Sequence, residues 1–274
     1  MENANQISFL KLRGEKGVYV IQDIDHRIET WIAHIAKKVD VMLQDVAVET
    51  KKHDLDLVTN IDKEVQADFT KFIEENYPEH QIMGEEKSNH EIDMYRGYAW
   101  AIDPIDGTTN LVKQHKDYCL IVSLFYNGEP LLAYTYEFYQ QKLYKAVKGK
   151  GVTVDGVPLR VDMYHHLKDA LISIDPKRAR SELLKALISK SHGFRFIGAG
   201  GIGALRTITG DFGASIDMGA NLWDMSAQIL YAKELGLVVT DIQGNSIDLN
   251  HVKGAIIAHP DIHEDIINII KTYQ

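Results

Sequence analysis

Apolar residues recur at spacings of three and four from Ile24 to Leu43. Ile28, Trp31, Ile32, Ile35, Val39, Met42 and Leu43 share one face, which predicts an amphipathic helix. A second stripe, Val65, Phe69, Phe72 and Ile73, begins near Asp62 and ends at Tyr77-Pro78. The polar stretch 51–60 joins the two. Then the period changes. Apolar runs at 81–83, 98–103, 120–126, 131–138, 142–148 and 151–157 read as strands, and Asn127-Gly128-Glu129-Pro130 is a hairpin signal between two of them. This half is predicted to be a largely antiparallel sheet with helices packed on it.

Beyond it, strand and helix patterns alternate. Residues 170–174, 194–197, 214–218, 237–241 and 255–258 read as strands, and 181–190, 221–235 and 262–272 as helices. Residues 200–209 are glycine-rich but keep helical apolar spacing. Such alternation argues for helices covering a second sheet. The boundary falls within 158–168, giving units of 23–160 (a metal-binding half) and 161–274 (a substrate-side half). No Pro/Ser-rich linker separates them, so an interface between them is expected. Residues 1–22 show no sustained period and read as a leader or a lineage-specific extension.

The 274 residues suffice for a sizeable core. A formal charge of −9 without a long basic stretch argues against a nucleic-acid groove. No apolar run approaches the roughly 20 residues that span a bilayer, and the first residues lack a secretory hydrophobic region. A cytoplasmic setting without membrane attachment is the expectation. Cys119 is the only cysteine, which excludes an intramolecular disulfide and argues against a cysteine-based zinc site. Within Cys119-Leu120-Ile121-Val122 it reads as a buried apolar residue. The adjacent His165 and His166 read as surface residues.

The densest chemistry lies at Asp103-Pro104-Ile105-Asp106-Gly107-Thr108-Thr109-Asn110. A buried strand delivers two carboxylates three residues apart. A glycine and two hydroxyl residues that can open a helix follow. Hard oxygen ligands for divalent cations thus stand beside backbone N–H groups able to hold an anion, which suggests metal-assisted phosphoryl chemistry. Asp-Pro and Asp-Gly are also ordinary turn dipeptides. The Thr-Thr-Asn continuation and the distant acids Asp62, Glu85-Glu86 and Asp224 weigh against a mere turn. Each of those acids sits where an expected strand ends or a helix begins, a place that fixes side-chain direction. Close carboxylates repel one another. No Arg or Lys run accompanies them, so divalent cations are the simplest counter-charge.

Gly84-Glu85-Glu86, then Trp100-Ala101-Ile102-Asp103-Pro104-Ile105-Asp106-Gly107-Thr108-Thr109-Asn110, then Trp223-Asp224, resemble the inositol monophosphatase family of magnesium-dependent, lithium-sensitive phosphatases. Asp56-Leu57-Val58-Thr59-Asn60-Ile61-Asp62 is similar to that family's D-L-V-T-x-x-D element. The similarity in order and spacing spans about residues 24–270. It implies an α+β, α/β fold: a layered αβαβα sandwich (the sugar phosphatase fold) with an antiparallel first sheet and an alternating second half. It implies two to three Mg2+ ions, Mn2+ as a substitute, and Li+ and Ca2+ as inhibitors. Homodimers are common among relatives, so a homodimer is expected.

By position, the resemblance assigns Glu85, Asp103 and the carbonyl of Ile105 to one magnesium. Asp103, Asp106 and Asp224 hold a second, with Asp103 bridging. Glu85 also faces a third, weaker ion, and Glu86 supports the ligands; Lys51 falls in the mobile loop that helps recruit that ion in relatives, but on its own it reads as a solvated charge. Asp62 and Thr108 orient and deprotonate the attacking water, and the amides of Gly107 and Thr108 hold phosphate. Asp217 aligns with a Glu that contacts substrate hydroxyls in inositol-specific relatives. Gly198 and Gly200 line the substrate pocket, where extra glycines either widen the space or permit close packing. One departure is noted: Met225-Ser226-Ala227-Gln228 and Glu234-Leu235-Gly236-Leu237 replace the family's smaller residues and E-A-G-G-like turn.

The implied function is hydrolysis of inositol monophosphate or a similar polyol phosphate by metal-activated water, with no covalent intermediate. The alternative is a dual or broad phosphatase acting on NADP(H) or fructose 1,6-bisphosphate. A 3′-phosphoadenosine phosphate nucleotidase agrees less well, because those relatives diverge after D-G-T. A regulatory or binding protein that retains the fold is the reading from another class. It lacks a basic surface to support it.

Overall fold

The computed structural model describes residues 11–14, 17–50, 57–86, 89 and 91–273. Lys51, Asp56 and part of the 1–22 segment lie outside them. Strands β1 (Lys11–Gly14) and β2 (Gly17–Val20) pair antiparallel and lead into helix α1 (Ile21–Met42). A second small pair, β3 (Val48–Thr50) and β4 (Leu57–Thr59), precedes α2 (Asn60–Asn76). Both long helices begin two to three residues earlier than periodicity predicts. At α2, Thr59 supplies the reason: its hydroxyl accepts the amides of Ile61 and Asp62 and caps the first turn.

The first sheet takes β5 (Gln81–Gly84), β6 (Tyr98–Asp106), β7 (Cys119–Tyr126), β8 (Glu129–Glu137), β9 (Lys142–Val147), β10 (Val152–Val154) and β11 (Val157–Pro158). Their spatial order is β11-β10-β9-β8-β7-β6-β5. Helix α3 (Thr108–Gln114) leaves the end of β6. Every pairing is antiparallel except β5 with β6. The second sheet contains β12 (Leu171–Ile174), β13 (Gly193–Arg195), β14 (Ala214–Asp217), β15 (Val238–Thr240) and β16 (Ala255–Ala258), ordered β13-β12-β14-β16-β15. Its helices are α4 (Ser181–Lys190), α5 (Gly200–Ile208), α6 (Leu222–Leu235) and α7 (Pro260–Tyr273).

Alternation of side chains across the first sheet sets the layers. Trp100, Ile102, Val122 and Tyr134 join the core beneath α1 and α2. Cys119, Ile121 and Ala133 face the opposite way, onto α5 and α6. Ile172, Ile216 and Ile256 pack beneath α4 and α7. The result is the five-layer αβαβα sandwich that the resemblance implies. Helix α6 is buried on several sides, so it reads as apolar nearly all round rather than amphipathic. Two of its polar side chains find partners in the first sheet: Tyr231 donates to the carbonyl of Tyr144 (2.9 Å) and Ser226 meets Ser123 (3.0 Å).

Candidate active site

Strand β6 carries the central motif through Asp106, three residues beyond the predicted strand end. In its register with β7, Asp103 faces Ile121 but Asp106 faces Cys119. Three steps on one strand answer two on the other, which is a β-bulge. Without it, residues three apart would point to opposite faces. The bulge falls between Asp103 and Asp106, a span that includes Pro104 with its missing ladder N–H, and both carboxylates line the same cavity.

The other acids arrive from separate elements. Asp62 sits in the first turn of α2, where its Oδ2 accepts the Thr59 amide (2.9 Å) and hydroxyl. Glu85 follows β5, with its amide bonded to the Ile102 carbonyl. Asp224 occupies the first turn of α6, and its Oδ2 accepts the amide (2.6 Å) and side-chain nitrogen (3.2 Å) of Asn221. Glu85, Asp103, Asp106 and Asp224 line a single cavity of about 260 Å3, together with Ile105, Gly107, Thr108, Gly198, Gly200 and Asp217. Among the described residues, every candidate ligand and substrate contact inferred from sequence is therefore gathered there, except Asp62 and Glu86. Asp62 is buried behind the wall and touches it through Thr108, whose Oγ1 lies 2.9 Å from Asp62 Oδ1 and 3.1 Å from the Ile105 carbonyl. One hydroxyl proton serves one of these acceptors at a time.

The electrostatics are those of crowded acids. Burial, then repulsion from Glu85, Asp106 and Asp224, pushes the Asp103 carboxyl well up. Asp106 is raised to about 7, mainly by burial, although the amides of Gly201 (2.7 Å) and Gly200 (3.2 Å) oppose the shift. Burial also raises Asp224, against the Asn221 amide and with Glu85 adding repulsion. Asp62 is raised by burial, which outweighs its bonds to Thr59 and Thr108. Three carboxyls held in a state that disfavours their charge, those of Asp103, Asp106 and Asp224, join Glu85 in a donor set of oxygens suited to hard divalent cations. Among the described residues, no three acidic, histidine or cysteine side chains already form a closed coordination group.

Several sequence expectations change here. Cys119 is buried, but its thiol also points at Asp106 Oδ2 (3.6 Å), so it is not a purely apolar residue. The glycine run closes space rather than widening it. A Cβ on Gly201 would stand 2.7 Å from Ile121 Cδ1 and 2.8 Å from Asp106 Oδ2, so only glycine lets this amide reach the carboxylate. Gly198, at φ +84, likewise sits against Asn110, whose side chain ties the Ile197 and Asp117 carbonyls together (2.9 Å each). One cationic residue at the cavity was not singled out from sequence. Arg178, in the turn after β12, lines the cavity and pairs with Asp217 (3.1 Å). The signal for it was present as Lys177-Arg178-Ala179-Arg180 beyond a strand end. His165 is exposed and pairs with Asp261 at 2.6 Å.

Comparison with known proteins agrees with this arrangement. A model of the inositol monophosphatase family matches residues 23–274. An inositol-1-monophosphatase of Bacillus subtilis is 30% identical over 251 residues, covering 89% of this chain and 95% of that protein. A crystal structure of an IMPase/NADP phosphatase complexed with NADP and Ca2+ superposes with a TM-score of 0.88 at 38% identity, covering 92% of this chain and 96% of the other. A staphylococcal inositol monophosphatase-1 in a lithium-soaked inhibitory complex also gives 0.88, at 39% identity and with 92% and 95% covered. With its motifs converging on one acidic cavity inside a five-layer sandwich, the chain belongs to the inositol monophosphatase family, phosphatases that hydrolyse phosphate monoesters.

Proposed function

We propose that this protein is a magnesium-dependent phosphomonoesterase acting on inositol monophosphate or a similar polyol phosphate. The observation that carries the reading is the single cavity lined by Glu85, Asp103, Asp106 and Asp224, with the Thr108–Asp62 pair in its wall. Glu85, Asp103 and the Ile105 carbonyl would hold one ion, Asp103, Asp106 and Asp224 another, and Glu85 would also face a third. Carboxylate and carbonyl oxygens suit Mg2+, a hard cation. Mn2+ substitutes, whereas Ca2+ and Li+ inhibit.

When bound, the ions offset the ester's negative charge, acidify a water and stabilise the departing alkoxide. The chain's own residues set the geometry. The amides of Gly107 and Thr108 receive phosphate oxygens, and Gly107 brings them close because it lacks a Cβ. At φ +91 it also occupies a conformation that favours glycine. The Thr108 hydroxyl donates to Asp62 Oδ1, which leaves its oxygen lone pairs to accept a hydrogen bond from the attacking water; as that water gives up its proton to Thr108, the threonine passes its own to Asp62. Asp62 is fixed by two bonds from Thr59 and so holds the threonine in that orientation. Asp217, Gly198 and Gly200 bound the substrate's alcohol side. The enzyme works as a cytoplasmic homodimer.

A second reading, hydrolysis of NADP(H), is favoured by the overall likeness to an IMPase/NADP phosphatase complexed with NADP. Phosphate release from inositol 1-phosphate, NADP and fructose 1,6-bisphosphate, with and without Mg2+, tests both. Magnesium-dependent release is expected in every productive case. Release unaffected by chelation would sink the mechanism.

A further inference from the structure

Three parallel strands of the second sheet, β13, β12 and β14, end along one edge of the cavity. Ser173 pairs with Arg195 and Ile174 with Ile216. The residues just beyond these strands are therefore neighbours: Phe196 after β13, Asp175 and Arg178 after β12, and Asp217 at the end of β14. All four line the cavity. The carboxyl ends of parallel strands are where open α/β sheets bind ligands.

Arg178 is the one cationic side chain among the described residues lining this cavity. Its Nη1 lies 3.1 Å from Asp217 Oδ1, and its Nε lies 3.7 Å from Asp175 Oδ2. The pair is exchangeable. Arg178 is 49% exposed and Asp217 26%, so solvent weakens their attraction. Nor does departure of the guanidinium orphan the carboxylate: Asp217 Oδ1 also accepts the Gly219 amide at 2.9 Å. Asp175 likewise keeps the Lys177 amide (2.8 Å). The contrast is the Arg206–Glu137 pair, where Glu137 is fully buried and separation would strand a charge. Against Asp217, Arg178 makes a weak ion pair; against a phosphate oxygen pair it can make a bidentate, charge-assisted bond. On the same edge, Phe196 shows 46% of its surface, an aromatic ring left open to a planar ligand.

We propose that Arg178 is a specificity-determining residue: it exchanges its pairing with Asp217 for a second anionic group on the substrate. With the Phe196 ring beside it, it directs the site toward phosphate monoesters built on a nucleotide. The inference rests on the phosphatase reading above and names the substrate class of that same site. Asp217 and Arg178 then act in opposition. Asp217 receives polyol hydroxyls, whereas Arg178 receives an anion, and each restrains the other in the free enzyme.

The test is the ratio of kcat/KM for NADP to that for inositol 1-phosphate, measured at saturating Mg2+ in the full chain. Arg178→Ala lowers the ratio at least tenfold, and Arg178→Lys, which keeps charge but not the fork, lowers it less. Asp217→Asn releases Arg178 and raises the ratio. Phe196→Ala lowers kcat/KM for NADP but not for fructose 1,6-bisphosphate, which carries a second phosphate and no planar ring. Thermal melting of each variant verifies folding. A ratio unchanged within twofold in Arg178→Ala, while magnesium-dependent phosphate release persists, overturns the inference and leaves the phosphatase reading standing. Equal losses on NADP and fructose 1,6-bisphosphate, with Phe196→Ala silent, overturn the nucleotide assignment. Failure of the unaltered enzyme to release phosphate from any of the three overturns the phosphatase reading itself.

Discussion

Thr108 and Asp62 lie 46 residues apart in sequence, yet the threonine Oγ1 stands 2.9 Å from the Asp62 carboxylate. Two helix starts make the meeting possible. Asp62 belongs to the first turn of α2 and Thr108 opens α3 at the end of β6. Asp62 is tied at its other oxygen by the Thr59 amide, so the pair has little freedom to drift.

Thr108→Ala is expected to lower kcat by roughly 100- to 10,000-fold, the range for loss of a positioned proton-transfer group. The carboxylates that hold magnesium are untouched, so the Mg2+ concentration at half-maximal rate stays within a few-fold. Steady-state rates across a magnesium titration separate the two quantities.

Asp106→Asn is expected to weaken magnesium dependence and turnover together. The substitution removes charge from a ligand, and its amide nitrogen has to avoid the donors of Gly200 and Gly201 that now point at carboxylate oxygens. Calorimetric titration with Mg2+ measures the first effect, and phosphate release the second.

Gly201→Ala is expected to destabilise the fold by about 1–3 kcal/mol, the usual result of overpacking a tight interior. Its Cβ would press on Ile121, Asp106 and Cys119, all under 3.0 Å away. The melting temperature falls by several degrees, at roughly 2–4 °C per kcal/mol for a protein somewhat smaller than this one. Differential scanning calorimetry checks it.

His80 gives the fold an acid-sensitive point away from the cavity. Burial lowers its pKa from 6.5 to about 4, and the ring accepts the Trp100 indole N–H at 3.0 Å on Nδ1. The folded ring stays neutral where the unfolded one takes up a proton. Its contribution is therefore present above pH 6.5 and is lost as pH falls toward about 4. The full effect is of order 3 kcal/mol. Urea unfolding at pH 7 and pH 4.5 is expected to show a steeper loss in the unaltered protein than in His80→Gln.

Most elements were legible because the hydrophobic period changes along the chain, from three-and-four at Ile28, Trp31 and Ile35 to short apolar runs such as Cys119–Tyr126, whereas the layer order followed only from the family resemblance. The acids of the cavity were legible as a motif. Their shared direction was not: it depends on a bulge between Asp103 and Asp106, and a bulge is a property of two strands in register. Gly201 escaped for a related reason, since its contact with Asp106 joins residues 95 apart in different layers. Arg178 was not singled out at all, because its place beside Asp217 depends on how the ends of β12 and β14 align in the sheet. Helix α6 shows no clear polar face because it is enclosed, and periodicity alone cannot tell enclosure from irregularity.

Asp106 stands at the end of the first sheet, while the amides gripping both its oxygens belong to α5 in the middle layer. The acidic cavity is thus a seam, and its charge balance depends on how tightly two slabs of the molecule are clamped. A compound that wedged those slabs apart from the outer surface would silence the enzyme without ever competing with substrate, and raising the substrate concentration would not rescue it.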